Sequence, residues 1–187
     1  MTFFRTILLS FCLLLGTGCS NVRLAIYDHQ KRKEYAKETR EAFVGSEAGK
    51  DLALKKSILK TANGYIGTRY KYGSTDPRQG FDCSGLVYHV AKKHQIDLPR
   101  SSSTMAAAAP HIPWKKAKPG DLVFFGDRGR IHHVGFIEKN TANELWVIHS
   151  TTQRGVLKEN VLLSPYWKKR VLFAVDFSTL HSPKVKS

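Results

Sequence analysis

The chain of 187 residues is long enough for one domain with a core and short appendages. Hydrophobic residues make up 42% of it, which excludes wholesale disorder. A formal net charge of +15 points to an anionic partner, whether nucleic acid, acidic lipid or an acidic polymer such as a cell wall, and charge alone does not choose among them.

The N-terminus narrows that choice. Arg5 precedes the apolar run Ile7-Leu8-Leu9-Ser10-Phe11-Cys12-Leu13-Leu14-Leu15, which is too short to span a bilayer and has the length of a signal h-region. Gly16-Thr17-Gly18 and Cys19 follow. The string is similar to a bacterial lipobox, in which the cysteine is acylated and becomes the first mature residue. It departs at Gly16, where Leu is commonest. The alternative is an ordinary cleaved signal with an incidental cysteine. On the lipobox reading, residues 1–18 are the signal peptide and residues 19–50 a lipidated, charged tether. The acyl group on Cys19 anchors the protein to a membrane without spanning it. Ser20 after that cysteine hints at the periplasmic face of an outer membrane, given a Gram-negative host. Removing residues 1–18 takes away only Arg5, leaving 29 basic residues against 15 acidic ones. Export disfavours nucleic acid as the partner.

The cysteines then become informative. Cys12 leaves with the signal and Cys19 carries lipid, so Cys83 remains as a single thiol with no partner for a disulfide. A lone thiol in an exported protein is a candidate nucleophile, against the plain reading of a buried structural cysteine.

From Asp51 the apolar residues Leu52, Leu54, Ile58, Leu59, Ala62, Tyr65 and Ile66 recur at roughly helical spacing. Residues 70–80 form a loop rich in turn formers. A second helix is predicted from about Cys83 to His94, with Leu86, Val87 and Val90 inward. A short alanine-rich segment after Ser101–Ser103 ends at Pro110. Beyond Lys118-Pro119-Gly120-Asp121 the period switches to strands, at Leu122–Phe125, Ile131–Glu138, Glu144–Ser150 and Arg170–Phe177. Helices followed by strands argue for an α+β fold, N-terminal helices packed on a central antiparallel β-sheet, over residues 51–177. A polar tail, residues 178–187, is expected to fray.

Cys83 falls where the second helix begins. Asp82 is placed to cap that helix, and unpaired N–H groups and the macrodipole there favour a thiolate. The small residues Ser84 and Gly85 are expected to let a substrate backbone approach. Along a strand, residues two apart share a face, so His133, Gly135 and Ile137 share one and His132 the other. In the next strand Leu145, Val147 and His149 share a face. A hairpin centred on Thr141 makes opposed residue numbers sum to 282, setting His133 directly opposite His149. His133 is then the general base for Cys83, and His149 the group that orients it. His132 is the rival base. His29, His89, His94, His111 and His181 read as surface or packing residues. No paired spacing of metal ligands accompanies Cys83, His132, His133 and His149, so neither metal nor cofactor is expected.

Six strings in order carry a resemblance: Gly67-Thr68-Arg69-Tyr70-Lys71-Tyr72-Gly73, Phe81-Asp82-Cys83-Ser84-Gly85-Leu86-Val87, Leu98-Pro99-Arg100-Ser101-Ser102, Pro119-Gly120-Asp121-Leu122-Val123-Phe124-Phe125, His133-Val134-Gly135-Phe136-Ile137 and Val147-Ile148-His149-Ser150-Thr151. Together they resemble the NlpC/P60 family of cell-wall cysteine peptidases. The resemblance implies a papain-like core and hydrolysis of peptidoglycan stem peptides next to D-glutamate or the dibasic residue. It maps nucleophile, base and third polar residue onto Cys83, His133 and His149. It also places Tyr70 near the oxyanion, and Asp82 and Ser84 at the substrate pocket. A related thiol amidase or acyltransferase, and a catalytically silent wall-binding module, are the competing readings.

Overall fold

The computed structural model describes residues 29–180. The expected signal peptide, Cys19 and residues 181–187 of the expected tail lie outside the described residues. The described chain falls into two compact units, divided between Lys50 and Asp51. The first holds a helix over residues 29–45 (α1), exposed along its length. Among the described residues no helix is long and apolar enough to cross a membrane.

The second unit contains the body of α2 (Glu47–Asn63), then α3 (Cys83–Lys93) and α4 (Ser102–Ala107). Strands follow: β1 (His111–Ile112), β2 (Leu122–Asp127), β3 (Arg130–Asn140), β4 (Leu145–Thr151), β5 (Gly155–Asn160) and β6 (Val171–Val175), with a short α5 (Pro165–Lys168) before the last. They form one antiparallel sheet in the order β1-β6-β2-β3-β4-β5. The period-2 signal of the strands becomes two packed faces. Leu122, Phe124, Val134, Phe136 and Ile148 turn toward α2, α3 and α4, meeting Ile58, Leu86, Val87, Val90 and Met105 in the main core. Val123, Phe125, Ile137 and Val147 turn the other way, under Ala117, Val161 and Trp167.

Each helix has a local cause. Asp82 caps α3, its Oδ1 accepting from the Gly85 N–H at 2.6 Å. Ser101 and Thr104 form a reciprocal capping box at α4. α2 is fastened by the buried Lys55, whose ammonium lies 2.9 Å from Asp121 at the start of β2 and 2.7 Å from Asp176 just after β6.

The structure departs from the sequence reading, or adds to it, at three places. The β3–β4 hairpin is not centred on Thr141. Its turn closes through Thr141 N–H to the Glu144 carbonyl, centring it between Ala142 and Asn143. With the irregularity between Ile137 and Lys139, Ile137 pairs with Val147 and Phe136 with Ile148, so opposed numbers sum to 284. The short edge strands β1 and β5 do not follow from the sequence pattern. Phe177–Leu180 is a 3-10 turn, held by Ser178 N–H and Oγ on Asp176 Oδ1, and it covers the first three residues of the expected tail.

Candidate active site

Cys83 is the first residue of α3 and is partly buried. Its Sγ approaches the His132 carbonyl of β3 at 3.9 Å. Behind it, Asp82 is buried and fully engaged. Arg100 Nη2 donates to Asp82 Oδ2 at 2.8 Å, Arg100 Nη1 to Ser84 Oγ at 2.9 Å, and the Gly73 N–H to Asp82 Oδ2 at 2.8 Å. Asp82 and Ser84 thus sit beneath Cys83 and outside the lining of the cavity in front of it. Gly85 is also small for an internal reason. A Cβ there would lie 2.1 Å from the Ser74 carbonyl oxygen, so the residue lets the loop of residues 70–80 pack against α3 rather than admitting a substrate.

His133 and His149 share one face of the sheet and are hydrogen-bonded, His133 Nε2 to His149 Nδ1 at 3.0 Å. In the observed register they are diagonal neighbours rather than directly opposed. The residue opposite His149 on β3 is Gly135, where a Cβ would lie 2.9 Å from His149 Cβ and 2.6 Å from Val147 Cγ1. The chain of groups continues. His149 Nε2 lies 2.9 Å from Glu159 Oε1 on β5. Trp167 Nε1 donates to the same oxygen at 3.0 Å, and Arg154 Nη2 donates to both carboxylate oxygens at 2.8 and 2.7 Å. Trp167 also lies against both imidazoles, with ring centroids 4.5 Å from His133 and 5.0 Å from His149.

These contacts assign the protons. The bonds from His149 and Arg154 hold the Glu159 carboxyl down at about 2, so it is ionised and only accepts. His149 must therefore donate through Nε2–H. Neutral His149 then accepts at Nδ1, so His133 donates through Nε2–H and carries its lone pair on Nδ1. Burial, and after it the neighbouring imidazoles, keep His133 well below the ordinary histidine value. Burial also lowers His149, opposed by Glu159. Burial and the Asp82 carboxylate push the Cys83 thiol up, against backbone bonds at Ser84, Val134 and Cys83 itself. At rest Cys83 is thus a thiol and His133 a neutral imidazole, where the helix terminus alone suggests a thiolate.

Cys83 and His133 line a common cavity of about 440 Å³. Tyr70 lines it too, joined to Phe81 by a bridge between the two backbones. Burial, then the charges of Cys83 and Asp82, raise the Tyr70 phenol, so it is a hydroxyl donor at neutral pH. The side chain of His132 is exposed, and His133 occupies the relay. Of the other histidines, His89 bonds the Tyr65 hydroxyl at 2.8 Å, His94 bonds Thr61 at 2.9 Å and His111 stacks on Phe173. Among the described residues no group of three His, Cys, Asp or Glu side chains is arranged to hold a metal ion.

Four residues of this arrangement do not emerge from the sequence: Glu159, Trp167, Arg154 and Arg100. Arg100 stood within a quoted string without a role. Glu159 left no usable signal, because the strand that carries it does not show in the sequence pattern.

The family model described as the NlpC/P60 family matches residues 67–176. The gamma-DL-glutamyl hydrolase of Bacillus subtilis (strain 168) is 32% identical over 133 residues, covering 69% of this chain and 32% of the relative. The probable endopeptidase NlpC of Escherichia coli (strain K12) is 36% identical over 108 residues, covering 55% of this chain and 65% of the relative. This chain therefore spans a third to two thirds of the length of these relatives. The crystal structure of the NlpC/p60 domain of the peptidoglycan hydrolase SagA matches with a TM-score of 0.54 and 30% identity, over 65% of this chain and 97% of that one.

Proposed function

The chain belongs to the NlpC/P60 family, and from that premise we propose that it is a cysteine peptidase hydrolysing peptide bonds of the peptidoglycan stem, next to D-glutamate or the dibasic residue. The observation that carries this is the His133–His149–Glu159 chain, which leaves the His133 Nδ1 lone pair unspent beside the cavity that Cys83 shares. The names of the relatives supply the substrate class, glutamyl and peptidoglycan bonds.

In this mechanism His133 Nδ1 takes the Cys83 proton as Sγ attacks the scissile carbonyl carbon. The oxygen becomes an oxyanion, stabilised by the Cys83 backbone N–H and the Tyr70 hydroxyl. The imidazolium formed on His133 is stabilised through His149 by the ionised Glu159. The tetrahedral adduct collapses as His133 returns its proton to the leaving amine, giving a thioester on Cys83. Water, deprotonated by His133, attacks that thioester, and the freed thiolate recovers the proton. Export and anchoring through a lipid on Cys19, at the outer membrane, belong to the same proposal and rest on the lipobox-like string.

Digestion of purified peptidoglycan by the purified protein and by Cys83→Ala, read by mass spectrometry, tests the assignment. New stem-peptide fragments from the wild type alone are expected. Identical fragment profiles from the two proteins would defeat it.

A further inference from the structure

The relay accounts for one side of Glu159, and Arg154 on its other side reaches the cavity itself. Of the described residues lining that cavity, Arg154 alone carries a permanent charge, and no carboxylate lines it. Arg154 sits in the turn between β4 and β5, where its N–H bonds Thr151 Oγ1 at 3.3 Å. The bonds between Arg154 and Glu159 run through Nη2. The side chain of Arg154 is 55% exposed and that of Glu159 only 19%, so the pair turns its positive end outward into the cavity. A guanidinium has five N–H donors in a planar fork, and those on Nη1 and Nε, which make no bond to Glu159, are left to meet a carboxylate.

Resting on the peptidase reading above, we propose that Arg154 binds a free carboxylate of the substrate beside the scissile bond, and so selects stem peptides that carry one. Two groups of a stem peptide have this chemistry. A bond through the side-chain carboxyl of glutamate leaves the α-carboxylate of that residue free, and the dibasic residue carries a carboxylate of its own. Converting either one to a carboxamide keeps its shape and removes its charge.

The test uses three synthetic stem peptides: both carboxylates free, the glutamyl α-carboxamide, and the carboxamide of the dibasic residue. Binding is measured by calorimetry to Cys83→Ala and to Cys83→Ala carrying Arg154→Gln. Turnover is measured with the wild type and with the single variant Arg154→Gln. One of the two amides is expected to bind about 10- to 100-fold more weakly than the free acid, in line with loss of a charge-assisted contact. That preference disappears in Arg154→Gln, and the amide that loses affinity identifies which carboxylate is bound. In turnover the same difference appears chiefly in KM. Equal affinity for all three peptides overturns the proposal, and so does a preference that survives Arg154→Gln. A uniform fall in kcat for all peptides in the single variant Arg154→Gln, with their ratios unchanged, would show that Arg154 acts only through Glu159 and would also overturn it. Failure of the wild type to cleave any peptide is a separate result: it removes the peptidase reading, while the binding comparison still decides the role of Arg154.

Discussion

His149 meets Glu159 at 2.9 Å through Nε2, and this contact sets the direction of every proton in the site. The carboxylate only accepts, so His149 presents an acceptor to His133, and the free lone pair of His133 lies on Nδ1. A neutral histidine as third member supplies no charge to a developing imidazolium. In the proposed mechanism Glu159 supplies it one residue further out, held by Arg154 and by the Trp167 indole.

Replacing Glu159 with Gln keeps the shape and removes that charge. Glu159 raises both imidazoles against the effect of burial, so its loss lowers them further. The acidic limb of the kcat/KM profile should move to lower pH. The plateau should fall roughly 100-fold, within the range that acid–base groups contribute. A profile with the wild-type limb and plateau would remove Glu159 from the mechanism.

Lys55 tests the scaffold instead of the chemistry. Burial disfavours its ammonium, but Asp176 and Asp121 outweigh that and raise its pKa above the ordinary lysine value. Lys55→Met leaves the buried Asp121 without its partner and should cost about 3–5 kcal/mol in urea unfolding. The sign of the pH dependence follows. Asp121 is already raised by burial, and Asp176 is held low by Lys55 and Ser178 against burial. Without the ammonium both carboxyls rise, and the folded variant binds protons that its unfolded chain does not. The variant should therefore regain stability as the pH falls from neutrality toward the ordinary carboxylate range. A loss that is constant across that window would show that packing, not charge, is what Lys55 provides.

The faces of the sheet were legible from the sequence even where the register was not. The expected and observed pairings differ by two residues, and a shift of two preserves the face of every side chain. His149 therefore stays on the side of His133 although Gly135 takes the position across from it. The start of α3 was legible because Asp82 and the apolar period at Leu86, Val87 and Val90 agree. Glu159 was hidden because β5 is an edge strand. Lys158 and Glu159 break its alternation, and one edge of that strand has no neighbour to impose a pattern. Trp167 lies on a four-residue helix, too short for any period to show. The role of Gly85 was misread because its neighbour, the Ser74 carbonyl, is brought in by a loop fold that no local spacing records.

Gly135→Ala probes the register directly. The added methyl would fall 2.9 Å from His149 Cβ, closer than side chains tolerate, so the His149 strand position must give. The His133–His149 bond should lengthen, and kcat should drop at least tenfold while the protein stays folded by circular dichroism. The imidazole N–H resonance of His133, observed by NMR, should lose its hydrogen-bonded shift in step with activity. Full activity with an unshifted resonance would mean that the space at Gly135 plays no part.

The protonation state of Cys83 separates this site from one with a preformed ion pair. Burial and Asp82 raise the thiol while burial lowers His133, and both directions disfavour thiolate–imidazolium at rest. Alkylation of Cys83 by iodoacetamide, followed by mass mapping of its peptide, reads the thiolate alone. The rate should climb with pH, with its midpoint above the ordinary thiol value of about 8.5. The kcat/KM profile should stay flat across neutral pH. Its acidic limb should lie below the ordinary histidine value and its alkaline limb above the ordinary thiol value, because the productive state is thiol with neutral imidazole. An alkylation rate already at its maximum near pH 6 would establish the ion pair, and the proton transfer from Cys83 to His133 would then precede substrate binding instead of accompanying attack.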